Sequence, residues 1–322
     1  MKWEEIIEIF KNSLEFETDI EINFKRFLPY KGKPKNLIAI DGSSTFICGI
    51  STLWLGIVRV CGLCYGLSSG FDLLWYEKKE HMEVISPQNP PNHIQRKIIE
   101  HYPSIDRKIL INEIRRAHEI ELTKEIAKKV EDSIIAMDGA LTTPFLSELK
   151  DEVSEILNIC RERGNILIGV SKDSRTHAFS RVLTDAELLE KRGKKESYAY
   201  IELPENFMEN SRPPLYGKAY FVKLFPKARW FRIDIARGSP DEIFPQLACY
   251  AKSRLCPGYI YPLVEAHKFA VEINKIREFY EKKFLEKAVK EGLPIDKLLL
   301  CMTNAKGKKI SDFHTFLDEI SE

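Results

Sequence analysis

Apolar residues along this chain fall into two patterns, short unbroken runs and stretches with a period of three to four, and their order predicts the elements. Residues 1–16 set Trp3, Ile6, Ile7, Ile9, Phe10 and Leu14 at helical spacing, an amphipathic helix that either docks on its own domain or meets a partner. A basic turn, Tyr30-Lys31-Gly32-Lys33-Pro34-Lys35, leads into the run Leu37-Ile38-Ala39-Ile40. From 37 to about 86, β-branched and aromatic residues dominate, and segments 54–60, 73–77 and 82–85 predict three strands of an antiparallel meander. The prolines of 87–91 end that region, and a helix follows from about 106 to 129.

A second apolar run, Ile134-Ile135-Ala136-Met137, precedes a helix near 144–163 and a strand at 165–170. Residues 185–215 are polar and carry prolines, which predicts an insertion or mobile loop. Strands return at 218–224 and 229–235, and a long helix runs from about 261 to 289. A meander, a helix, then alternating strands and helices predict a mixed α/β sheet flanked by helices. The domain organisation expected is an N-terminal helix and basic linker over 1–36, a core over 37–290 and a C-terminal extension over 291–322 packed on it.

Composition narrows the class without naming a partner. The chain has 322 residues, 44% hydrophobic and 30% charged, enough for a full α/β core. A formal net charge of +1 means that any anionic polymer must meet a local basic patch. No segment reaches the roughly 18 apolar residues of a membrane span. The acidic, amphipathic start Met1-Lys2-Trp3-Glu4-Glu5 argues against a signal peptide, so a cytoplasmic location is expected. Seven cysteines without framework spacing predict reduced, mostly buried thiols, and the single pair Cys61-Gly62-Leu63-Cys64 is read as structural for want of a second pair.

Candidate chemistry begins where both apolar runs reach aspartate followed by glycine: Ile40-Asp41-Gly42-Ser43 and Met137-Asp138-Gly139-Ala140, roughly a hundred residues apart. Such a pair is an ordinary strand-ending turn, with Asp capping and Gly at positive φ, or two carboxylates set to hold a divalent cation. Phosphodiester hydrolysis by two hard cations about 4 Å apart needs such carboxylates. A third carboxylate can come from the helix bearing Glu113, Glu119, Glu121 and Glu125, where Arg115 and Glu119 share one face. A late ligand is offered by Glu265-Ala266-His267-Lys268. Carboxylates converging from a first strand, a helix and a neighbouring strand follow the logic of the ribonuclease-H-like fold. Lys172 and Arg175, in Val170-Ser171-Lys172-Asp173-Ser174-Arg175, leave a buried strand at the same edge and could meet phosphate. A second basic stretch sets Lys218, Lys223, Lys227, Arg229 and Arg232 among Tyr216, Tyr220, Phe225, Trp230 and Phe231, either a binding surface or a strand pair with one solvated face.

Together, Ile-Asp-Gly-Ser at 40–43, the Arg/Glu-bearing helix, Met-Asp-Gly-Ala-Leu at 137–141, Val-Ser-Lys-Asp-Ser-Arg at 170–175, Tyr-Phe-Val-Lys-Leu at 220–224, Phe-Arg-Ile-Asp at 231–234 and Gly-Tyr-Ile-Tyr-Pro-Leu-Val-Glu-Ala-His-Lys at 258–268 resemble the NurA nuclease family over roughly 37–275. The resemblance implies a ribonuclease-H-like core, a homodimer and a need for manganese, with magnesium as the alternative. It further implies a 5′→3′ exonuclease on single- and double-stranded DNA with endonuclease activity on single strands. In that family the nuclease acts with the hexameric ATPase HerA, alongside Mre11–Rad50, in DNA end resection and double-strand break repair. By residue, it implies Asp41 as a ligand bridging two cations, with Asp138 and Glu119 each completing one site and Glu121 as the alternative helical ligand. It also implies His267 as a ligand or water-orienting group, and Lys172, with Arg175 beside it, on phosphate. Ala140 departs from the small polar residue often found there, and 185–215 has no family pattern. An actin-like or sugar-kinase-like ATPase would need Gly-rich phosphate loops that the sequence lacks. A non-catalytic DNA-binding or HerA-docking module is the remaining alternative.

Overall fold

In a computed structural model that describes residues 2–15, 22–50, 52–68, 70–86, 88–101, 105–142, 147–180, 183–209 and 215–294, the apolar runs pair into a single sheet. Its strands are β1 (Lys25–Arg26), β2 (Leu37–Ile50), β3 (Leu53–Leu67), β4 (Phe71–Ile85), β5 (Ile134–Asp138), β6 (Ile166–Ser171), β7 (Ala199–Glu202), β8 (Lys218–Lys223) and β9 (Phe231–Ile235). They lie in the order β1-β7-β8-β9-β6-β5-β2-β3-β4. The β2-β3-β4 meander is antiparallel, β5 joins β2 in parallel and β6 joins β5 in parallel. β9, β8, β7 and β1 then extend the sheet in antiparallel fashion. A meander followed by two strands parallel to its first is the ribonuclease-H-like mixed sheet expected from the sequence.

Alternation sorts the side chains into two faces. Leu37 and Ala39 of β2, Ile134 and Ala136 of β5, and Ile168 and Val170 of β6 join one core with α7 (Pro240–Tyr250) and α8 (Tyr261–Val271) through Phe244, Leu247, Leu263 and Ala266. Ile38, Ile40, Ile135, Met137 and Leu167 join the other, against Leu110, Ile114 and Ile126 of α3 (Arg107–Lys129) and Ile156 of α4 (Ser147–Glu162). β5 is apolar on both faces because helices cover both, as parallel strands require. α3 starts where the Asp106 carboxylate accepts from Lys108 N–H, and its buried stripe continues through Ile120 and Ile126.

Several predicted elements take a different form. The meander uses β2 itself as its first strand, and the segments at 73–77 and 82–85 are one strand, β4. The charged run Lys78-Lys79-Glu80 between those segments lies on an edge strand with solvated positions, where charges are tolerated and resist further pairing. The expected long C-terminal helix is two, α8 and α9 (Ile273–Lys290), separated at Glu272. The region 185–215, expected as an insertion or loop, contains α5 (Asp185–Arg192), β7 and α6 (Glu205–Glu209), with β7 built into the sheet, and its residues 210–214 lie outside the described residues. α5 carries a capping box between Thr184 and Glu187, a local signal that the polar composition obscured. α1 (Trp3–Glu15) leaves Trp3, Ile7, Ile9 and Phe10 exposed, and α2 (His93–His101) precedes α3. Cys61 and Cys64 face opposite cores of β3, so this pair cannot grip one metal ion. Of the C-terminal extension, residues beyond 294 lie outside the described residues. Among the described residues no helix is long and apolar enough to cross a membrane.

Candidate metal centre

The parallel ladder between β2 and β5 ends at the pair Ile40↔Met137. The next residue on each strand is aspartate, so Asp41 and Asp138 stand side by side where the two strands part. Asp41 does not end its strand, as an Asp-Gly turn would have done. β2 continues to Ile50, still paired to β3, with Asp41 opposite Cys61 and Gly42 opposite Val60. By alternation Asp41 shares a face with Leu37 and Ala39, and Asp138 with Ile134 and Ala136. That is the face covered by α8, which carries His267.

The side chains meet accordingly. His267 Nδ1 lies 2.9 Å from Asp41 Oδ2, and one ligand atom each from Asp41, Asp138 and His267 fall within 4.8 Å of one another. Lys172, two residues beyond the β6 position paired with Asp138, brings Nζ to 3.0 Å from Asp138 Oδ2 and 3.8 Å from Asp41 Oδ2. Asp41 is 1% exposed, and its carboxylate accepts from Gly42 N–H at 2.7 Å. Burial, then the charge of Asp138, raises the Asp41 pKa above the ordinary carboxylate value, while Lys172 and His267 pull it down. A buried acid beside a second acid is costly to ionise alone, and a cation shared by both relieves burial and repulsion together. The two carboxylates suit hard cations such as manganese or magnesium, and the imidazole adds a nitrogen donor.

Glu119 approaches from the other face. It sits on α3, 2% exposed, and Arg115 pairs with it across one helical turn while donating to Gly42 O at 3.2 Å. A Cβ at position 42 would stand 2.6 Å from Glu119 Oε1, so glycine is what lets this carboxylate reach the strand. Burial raises the Glu119 pKa to about 7 against the pull of Arg115 and Arg116, and Asp41 and Asp138 add to the rise. Glu121, the alternative, is exposed and lies 3.4 Å from His118 Nδ1, away from the two aspartates. The structure thus joins Asp41, Asp138, His267 and Lys172 in one cluster and holds Glu119 just across Gly42. Arg175 is exposed in the loop after β6 and touches none of them among the described contacts.

One member of the cluster escaped sequence reasoning. The Tyr259 hydroxyl donates to Asp138 Oδ1 at 3.4 Å. Burial, followed by the charges of Asp138 and Asp41, holds the phenol well above its ordinary pKa, so it stays a donor. The signal was the Gly-Tyr dipeptide before the Pro262 helix start, since Gly258 has φ of +85° and turns the chain into the site. The second basic stretch divides differently: Lys223 and Arg232 are buried, at 2% and 8% exposed, and do not form part of an open binding surface.

Residues 35–272 match the NurA domain. No curated protein matches the chain by sequence. Among solved structures the chain is similar to the NurA nuclease from Sulfolobus solfataricus, at 19% identity and TM-score 0.56, covering 89% of this chain and 95% of that one. A second NurA structure aligns at 12% identity and TM-score 0.52, covering 91% and 98%. A NurA structure bound to dAMP and manganese aligns at 13% identity and TM-score 0.43, covering 82% and 89%. With a domain match spanning well over half of its length, on a sheet that sets two aspartates side by side, the chain belongs to the NurA nuclease family.

Proposed function

We propose that this protein is a divalent-metal-dependent DNA nuclease that hydrolyses phosphodiester bonds with manganese, or magnesium, held by Asp41, Asp138 and His267. The observation that carries the reading is the convergence of those three donors within 4.8 Å, with the Lys172 ammonium beside them. In a two-metal mechanism Asp41 and Glu119 would serve the second ion, which requires Glu119 to exchange part of its pairing with Arg115. Such ions supply Lewis acidity toward a phosphoryl oxygen and a water nucleophile active near neutral pH. The chain's own groups bind and orient. Lys172, and Arg175 three residues further on, would hold the phosphate, and Tyr259 fixes the Asp138 carboxylate by its hydrogen bond. A manganese-bound NurA structure is consistent with that choice of metal.

From the family resemblance we further propose 5′→3′ exonuclease activity on single- and double-stranded DNA, endonuclease activity on single strands and a cytoplasmic homodimer. The same resemblance supports work with HerA in end resection and double-strand break repair. DNA labelled at the 5′ or the 3′ end, incubated with Mn²⁺ and either the wild type or Asp41→Ala, tests the core of this reading. Metal-dependent cleavage lost in the variant is expected, and the label released first reports polarity. Cleavage that persists unchanged in Asp41→Ala would reject the site. Absence of cleavage by the wild type, alone and with HerA, would favour a non-catalytic binding module.

A further inference from the structure

The Phe231-Arg232-Ile233-Asp234 segment has no part in the cluster, and its side chains explain why it matters. On β9, Ile233 and Ile235 enter the core under α8, so Arg232 and Asp234 point to the opposite face. Asp234 is 1% exposed. Its Oδ1 accepts from Arg232 Nε at 2.8 Å, and its Oδ2 accepts from Arg232 Nη2 at 3.1 Å and from Leu141 N–H at 2.9 Å.

Leu141 ends the short loop that starts at Asp138. Gly139, at φ +97°, turns the chain over β6 while its N–H donates to Val170 O at 2.8 Å. The crossing point is Gly169, where a Cβ would meet Gly139 O at 2.6 Å and Leu141 N at 2.8 Å. Gly169 is the ladder partner of Asp234, so the loop passes over a strand with no side chain there and reaches the carboxylate directly behind it. From α3, Arg116 Nη2 donates to Ala140 O at 2.6 Å. The loop is therefore gripped from two sides, by Arg116 on its carbonyl and by Asp234 on its amide.

A buried ion pair is a weak contributor to stability, because apolar side chains of similar size serve the core as well or better. What apolar side chains cannot do is accept the Leu141 N–H and thereby hold the Asp138 loop. We propose that Asp234, oriented by Arg232, is a positioning residue that fixes the Asp138 carboxylate for metal binding from behind the sheet. This rests on the metal centre proposed above. Groups that orient a ligand without touching the ion typically change metal affinity by about 10–100-fold when removed.

The test measures Mn²⁺ binding to the full chain by calorimetry, together with the melting temperature of the metal-free protein. In Asp234→Asn one of the two accepting oxygens becomes an NH2 donor that faces either Arg232 Nε or the Arg232 Nη2 and Leu141 N–H pair, so the hold on the loop is weakened and the Mn²⁺ Kd is expected to rise about 10–100-fold. The double variant Arg232→Met/Asp234→Leu replaces the pair with apolar groups, so it is expected to melt at or above the wild type while binding Mn²⁺ as weakly as Asp234→Asn. It also keeps the test decisive if the single variant does not fold. Asp138→Asn serves as the reference. If Asp138→Asn loses Mn²⁺ and the double variant binds within twofold of the wild type, the positioning role is overturned and the metal centre stands. If Asp138→Asn binds as the wild type does, the metal centre itself falls, and this inference with it.

Discussion

At the scale of single residues, the centre is a place where folding and function oppose each other. Asp41 is buried beside Asp138, and an acid whose ionisation is penalised by burial and a like charge destabilises the metal-free fold. Asp41→Asn is therefore expected to melt at or above the wild type without metal and to lose Mn²⁺-dependent cleavage by a hundredfold or more, on the order of the loss expected for a ligand. Glu119 makes the same point through pH. Its folded pKa of about 7 lies above the ordinary 4.5, so between those values the folded state holds a proton that the unfolded chain has released. Its contribution is fully present below pH 4.5 and is lost as pH rises through about 7, a fall of roughly 3 kcal/mol in the metal-free protein. Denaturant melts at several pH values should show that slope, and Glu119→Gln should flatten it. Gly42→Ala would set a methyl against Glu119 Oε1, and a cost of about 1–3 kcal/mol with loss of cleavage is expected from chemical denaturation and nuclease assays.

At the scale of elements, charge patterns on strands mislead unless the buried face is known. The basic-aromatic stretch on β8 and β9 turns Lys223 inward, where its ammonium donates to Gly193 O at 3.4 Å and lies 5.9 Å from the centre of the Trp230 ring. Lys223→Met is accordingly expected to change stability and to leave DNA affinity and its salt dependence unchanged, because a residue that meets no phosphate releases no counterion. Binding titrations at several salt concentrations check this. β3, β4 and α9 are tied at Glu80, which accepts from Arg59 at 3.0 Å and from Tyr280 at 3.0 Å. Burial there would raise the carboxyl, but these hydrogen bonds and the Arg59 charge hold it below its ordinary value. Its stabilising share is present above the unfolded pKa and lost as pH falls through the lowered folded one. Tyr280→Phe, removing one hydrogen bond, is expected to cost about 1 kcal/mol at neutral pH and less once Glu80 is protonated, as urea titrations would read.

At the scale of the whole molecule, the proposed ligands come from β2, β5 and α8, so metal binding there would be a folding term. At a hundredfold excess over its Kd, Mn²⁺ should stabilise the protein by about 2.7 kcal/mol, a shift of several degrees in melting temperature that a chelator reverses and Asp41→Asn lacks. Much of this arrangement was legible in the chain itself. Unbroken apolar runs ending on Asp-Gly marked Asp41 and Asp138, and motif order carried His267, Lys172 and the mixed sheet, because strand burial and turn chemistry are written in local composition. Other features have no local signature. That Asp41 lies within a continuing strand, that Glu119 reaches it only across Gly42, and that Tyr259 joins Asp138 depend on where β2 and β5 part and which helix covers each face. The capture of the Asp138 loop by Asp234 is of the same kind, since 93 residues of sequence separate Leu141 from its partner. The chain alone singled out most of the residues proposed to carry the chemistry. Only the tertiary structure decided which side each approaches from, because facing is set by sheet register and helix packing between segments far apart in sequence.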